Sequence, residues 1–193
     1  MLIRILVTFT LLAPLGAFAQ SHEHSTPYAG QQTREIKSLS DEDIAQLRTG
    51  AGWGLALPAE LSGLPGPAHV LELKEELALT NAQLEEITEI HAQMRKDAID
   101  AGERFIEAEA AISRAFLDAS VSSDVLSDLL GESAQARAAL RYVHLSRHLE
   151  TPNVLTADQI KKYNVLRGYA DDPCTNVPEG HDPNMWRRHN GCE

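Results

Sequence analysis

Aromatic residues are scarce in this chain, at 5% of its 193 residues, which suits a thin helical assembly better than a thick globular core. Cysteine is nearly absent. Cys174 and Cys192 both lie near the C-terminus, and in an oxidising compartment the expected state is a disulfide closing the last loop. Cationic side chains are outnumbered, 17 against 28 acidic, so the basic footprint of a general nucleic-acid binder is missing. No Rossmann glycine fingerprint, phosphate loop or nucleophile elbow occurs anywhere. No Ser/His/Asp or Cys/His arrangement stands out either. The acid pairs Glu85/Glu89 and Glu103/Glu107 sit at i, i+4, the spacing of a solvated helix face. The expectation is a protein that is not an enzyme.

The long apolar run is confined to the start. "MLIRILVTFTLLAPLGAFA" carries Arg4, an apolar stretch and Ala17-Phe18-Ala19 as a small-x-small cleavage site, the layout of a secretory signal peptide over residues 1–19. Pro14 and Gly16 interrupt the stretch, and a membrane span needs roughly 20 apolar residues. The expectation is export, cleavage after Ala19 and no stable membrane insertion. Removal of Arg4 with the leader moves the formal charge from −11 to −12.

Residues 20–39 are polar and aperiodic, and read as a mobile arm. Ser40 with Asp43 makes a capping box for a short helix to about Arg48. Gly and Pro then crowd residues 49–66, where Trp53, Leu55, Leu57, Leu61 and Leu64 suggest a segment packed on the helices. A helix restarts after Pro67 over His69–Leu77. Thr80 caps a long helix from Asn81 to about Ala119. Leu84, Ile87, His91, Met94, Ala98, Ala101, Phe105, Ala108, Ile112 and Ala115 form its seam in alternating steps of three and four. Ser122 or Ser123 caps a second long helix to about Leu149, with Val125, Leu129, Ala136, Leu140 and Val143 on its apolar face. Two long helices with a tight connection predict an antiparallel hairpin in an all-α fold, flanked by shorter helices. Thr156 opens a final helix to about Arg167, and residues 170–193 form a Cys-containing tail with Trp186 docking it.

Both long-range landmarks share one box: Leu79-Thr80-x-x-Gln83 and Leu155-Thr156-x-x-Gln159. Thr caps and Gln reciprocates three residues on, with Leu as the staple. Two such boxes bracketing a helical hairpin in an exported chain resemble the Spy/CpxP family, periplasmic stress proteins of Gram-negative bacteria with heavy-metal-responsive relatives. The resemblance covers roughly residues 67–169. It implies a dimeric, curved cradle acting as an ATP-independent chaperone or stress adaptor. Its partners would be unfolded periplasmic proteins or an inner-membrane sensor.

Two sets of side chains suggest chemistry. Arg137, Arg141, His144 and His148 fall on one helix stripe, and no acid lies between Ser133 and Leu149. The stripe reads as a cationic client-binding strip, or as a solvated face paired with Glu103, Glu107 or Glu109. His144 and His148 at i, i+4 could also converge on Zn, Cu or Ni, given a further ligand. His91 and His69 read as structural. Cleavage after Ala19 would expose Gln20-Ser21-His22, a square-planar nitrogen set for Cu(II) or Ni(II), against the simpler reading of a polar arm. His181, Met185 and His189 could serve copper or zinc were the tail cysteines reduced.

Overall fold

The computed structural model describes residues 26–192. The leader, Gln20 and His22 fall outside them. The chain divides into two units at Gln32/Thr33. In the first, residues 27–30 form a turn leading into a short 3-10 helix, with Gly30 N donating to Gln32 Oε1 at 2.7 Å. Everything below concerns the second.

It is helical throughout, with no strand among the described residues. In chain order the helices are α1 (Asp41–Thr49), α2 (Leu57–Glu60), α3 (Pro67–Glu72), α4 (Asn81–Leu117), α5 (Ser123–Glu150), α6 (Ala157–Leu166) and α7 (Pro183–His189). The long pair, α4 and α5, pack against each other. Arg147 meets Asp97 at 2.8 Å, and Ser133 bonds Glu109.

All ten seam positions of α4 are buried or half-buried. A second face of α4 is covered too, through Gly102, Ile106 and Ser113. There α1 crosses at a contact only glycine permits: a Cβ on Gly102 would stand 2.8 Å from Leu47 O. Gly102→Val should therefore lift α1 and cost about 1–3 kcal/mol by overpacking, read as a lowered urea midpoint with unchanged far-UV circular dichroism.

Two apolar clusters result. One joins Ile36, Leu39, Leu47 and Leu55 to Phe105, Ile106 and Leu140. The other gathers Val70, Leu77, Ile87, Leu155 and Tyr163 around the start of α4 and α6. A fully buried Ile87 or Leu140 contributes about 1.5–3 kcal/mol.

Several expectations need correction. The arm does not stay mobile to residue 39: Ile36 and Leu39 insert into the first cluster, and Lys37 N donates to Ser113 Oγ at 3.1 Å. The helix after Pro67 stops at Glu72 instead of reaching Leu77. Turns follow instead, carrying Leu77 into the second cluster, with Ala78 at φ 50°. Val125 is exposed rather than on the packed face. The tail holds an unforeseen helix, α7, whose cap Asp182 accepts from Asn184 N and Met185 N. Asp182-Pro183 is its signal, a cap residue followed by Pro at the first helical position. Cys174 pairs with Cys192, and Trp186 Nε1 donates to Pro173 O at 2.8 Å.

Candidate functional site

Both boxes form as capping boxes. Thr80 Oγ1 accepts from Gln83 N at 3.2 Å and Thr156 Oγ1 accepts from Gln159 N at 3.2 Å. Each glutamine returns its Oε1 to the threonine N–H, at 3.1 and 2.9 Å. Local sequence goes no further than this. In the folded chain the boxes also meet: Gln83 Nε2 donates to Gln159 Oε1 at 2.9 Å and to Val154 O at 2.8 Å. Gln159 Nε2 answers with Gln83 Oε1 at 3.1 Å and Leu77 O at 3.2 Å. Each amide thereby uses both donors and both acceptor positions. The start of α4 is tied to the start of α6, although 76 residues separate the two glutamines.

Beside this lock runs the strap from Leu55 to Pro67. Its middle carries a carboxylate inward: Glu60 is 6% exposed. Tyr163 Oη donates to Glu60 Oε2 at 2.9 Å, Tyr169 Oη to the same atom at 3.2 Å, and His69 Nδ1 to Oε1 at 2.7 Å. Burial works against the charged form, yet the hydrogen bonds from His69 and Tyr163, and the charges of His69 and His148, hold this carboxyl below its ordinary range. Burial first, then Glu60, pushes the Tyr163 phenol up, so it stays a donor. Arg167 Nη2 completes the ring of contacts at 3.4 Å from His69 Nε2.

His148 closes the strap from the α5 side. Its Nδ1 donates to Leu64 O at 2.8 Å, leaving Nε2 facing Glu60 Oε1 at 3.9 Å. Gly66 is required here, because a Cβ would fall 2.5 Å from His148 Cε1. One helical turn earlier, His144 is only 2% exposed and its Nε2 has no hydrogen-bond partner. Burial, then the charge of His148, lowers its pKa, which favours the neutral ring.

Between strap, α3, α4 and α5 lies a cleft of about 300 Å³, and His69, His91, His144, His148, Met94 and Glu60 all line it. The sequence placed His144 and His148 on a solvated strip with Arg137 and Arg141; the strap covers the histidine end of that strip. Arg137 and Arg141 stay exposed, Arg137 lying 5.4 Å over the Trp53 ring. Trp53 is set by Nε1 donating to Asp43 Oδ1 at 2.9 Å and by Phe105 at 5.7 Å. Two of the three acids suggested for the strip have other partners: Glu103 pairs with Arg48 at 2.9 Å, and Glu109 accepts from Ser38 and Ser133.

The donor types of the cleft suit a borderline metal, with His144 and His148 as the imidazoles. The arrangement does not complete a site. Among the described residues no three His, Cys, Asp or Glu side chains stand ready to hold one ion. His91 is half-buried at the cleft wall, and His181 packs edge-on to Trp186 at 4.9 Å in the tail. Sequence reasoning missed Glu60 and its partner Tyr163, because nothing in local pattern predicts which strap residue turns inward; Trp53 does pack on the helices, as its place in the segment suggests.

Comparisons with protein families, with curated proteins and with solved structures return no match. Among the described residues no helix is long and apolar enough to cross a membrane.

Proposed function

We propose that this chain is an exported, periplasmic ATP-independent chaperone or envelope-stress adaptor of Spy/CpxP type. In this proposal α4 and α5 form an antiparallel hairpin, a homodimer makes the cradle, and unfolded proteins or an inner-membrane sensor bind it. The observation that carries the reading is an open groove of about 520 Å³ between α4 and α5. Ala108, Ala111, Ala136 and Ala139 line it together with Arg104, Glu107, Glu132 and Gln135. Small apolar side chains with charges beside them leave room for a polypeptide without dictating its sequence. Arg137 and Arg141 remain on the surface of α5 as the client-facing part of the basic strip.

The expected result is suppression of light scattering by reduced α-lactalbumin and by a heat-unfolded enzyme, at near-stoichiometric ratio and without nucleotide. Ala139→Glu, at an exposed position, should weaken suppression severalfold while leaving the thermal midpoint in place. Unaltered aggregation across several clients would remove the reading.

A second reading, heavy-metal binding, is favoured by the unpartnered His144 Nε2 in a cleft lined by three further histidines and a methionine. Native mass spectrometry with Zn(II), Cu(II) and Ni(II) should then show one ion per chain, lost in His144→Ala. Uptake unchanged by that substitution would shift the ion to His22 or to the tail.

A further inference from the structure

Three acceptor groups of the strap are met by donors that all lie outside it. The Glu60 carboxylate takes Tyr163 Oη from α6, Tyr169 Oη from the turn that follows, and His69 Nδ1 from α3. Leu64 O takes His148 Nδ1 from α5 at 2.8 Å, and Gly63 O takes Asn164 Nδ2 from α6 at 3.1 Å. These donors form a seat in which the strap is the occupant. Its charge suits an anion: Arg167 Nη2 stands 3.4 Å from both His69 Nε2 and Tyr169 Oη.

The seat also reads backbone shape. Gly63 lies at φ +76°, and a Cβ there would stand 2.8 Å from Asn164 Oδ1. A Cβ on Gly66 would stand 2.5 Å from His148 Cε1. The pattern accepted is therefore Glu, then glycine three and six residues on, with carbonyls offered at the first glycine and at the residue after it. A free carboxylate meets only the first of these requirements. A polypeptide meets them all.

Two observations mark the strap as displaceable. Leu57, Leu61 and Leu64 face solvent, so its middle is held by polar contacts, and lifting it exposes little further leucine surface. The fit is also incomplete. A cleft of about 300 Å³ remains between the strap and the helices, with His144 among its lining. His144 Nε2, and Asn164 Oδ1 against Gly63, are buried without a hydrogen-bond partner, which penalises the closed arrangement.

We propose that this seat is a recognition site for a segment of a partner protein, carrying Glu with glycine three and six residues on, and that the strap occupies it until that segment displaces it. A tethered strap competes at high effective concentration, so the wild-type chain takes the segment weakly. The seat shares no residue with the α4–α5 groove, so the aggregation test can fail while this recognition stands.

The test is fluorescence anisotropy of a labelled peptide of residues 53–68, titrated with the full mature chain. Glu60→Ala, whose own strap has lost its carboxylate, should bind the peptide saturably and at least tenfold tighter than wild type. A peptide with Glu60→Gln should bind that chain about tenfold more weakly, and one with Gly66→Val should weaken similarly. If Glu60→Ala does not fold, the Glu60→Gln chain carries the same comparison. No saturable binding, equal binding by variant and wild type, or equal binding of the Glu and Gln peptides overturns the proposal. Acetate binding Glu60→Ala as tightly as the peptide does would assign the seat to free carboxylates and overturn it. A wild-type dimer that falls to monomers in Glu60→Ala would place a second copy's strap in the seat, and would overturn it too.

Discussion

Glu60→Ala will destabilise the folded chain by about 3–5 kcal/mol, the range for breaking a buried, hydrogen-bonded charge cluster. Three donors lose their acceptor together: Tyr163 Oη, Tyr169 Oη and His69 Nδ1. Tyr163 is fully buried, so its hydroxyl finds no water in exchange. The loss should appear in urea unfolding, and in hydrogen exchange the strap should open before α4 and α5 do. Glu60→Gln, which keeps an acceptor oxygen, should recover part of it. A loss below about 1 kcal/mol would mean that these donors are satisfied some other way.

The same substitution separates two contributions to acid sensitivity. Glu60 has a folded pKa below its ordinary 4.5. The unfolded chain therefore binds the extra proton, and the stability this group confers is full above that pH. It is lost as pH falls through the depressed value. His144 is also lowered, from 6.5, by burial and then by His148. Near it are His148 and Arg141 on its own helix, with His91, His69 and Glu60 lining the same cleft from the other elements. Its penalty is absent above pH 6.5 and grows as pH drops below. Wild type should thus soften in two stages on acidification, and Glu60→Ala should keep the first stage and lose the second.

Gln83→Ala and Gln159→Ala should each cost about 2–4 kcal/mol, adding a lost reciprocal cap to the partner amide left unsatisfied. The double variant should cost less than the two singles together, because the shared pair of bonds disappears only once. Chevron or equilibrium urea data on the four proteins give the coupling directly. Strict additivity would show that each box acts as an isolated helix start, whatever the distances between the amides.

Much of the helical layout is legible one segment at a time. Ser40 with Asp43, Thr80 with Gln83 and Thr156 with Gln159 are caps made within four residues, and all three stand where local chemistry places them. The seam of α4 follows from its own spacing. Where periodicity alone misleads, a local signal can decide, as with the Asp182-Pro183 start of α7.

What only the tertiary structure decided is which face of each element is covered, and by what. Arg137, Arg141, His144 and His148 do share one face of α5, yet the strap seals the last two and leaves the arginines in water. Gln83 and Gln159 are symmetrical in the sequence, but that they grip each other depends on the path of the chain between two positions 76 apart. The middle of the strap runs against its own hydrophobic pattern, with Leu57, Leu61 and Leu64 out and Glu60 in, while Leu55 enters the first cluster. Spacing along a chain sets the direction of a side chain relative to its helix; contacts between distant segments set whether that direction is core, cleft or solvent.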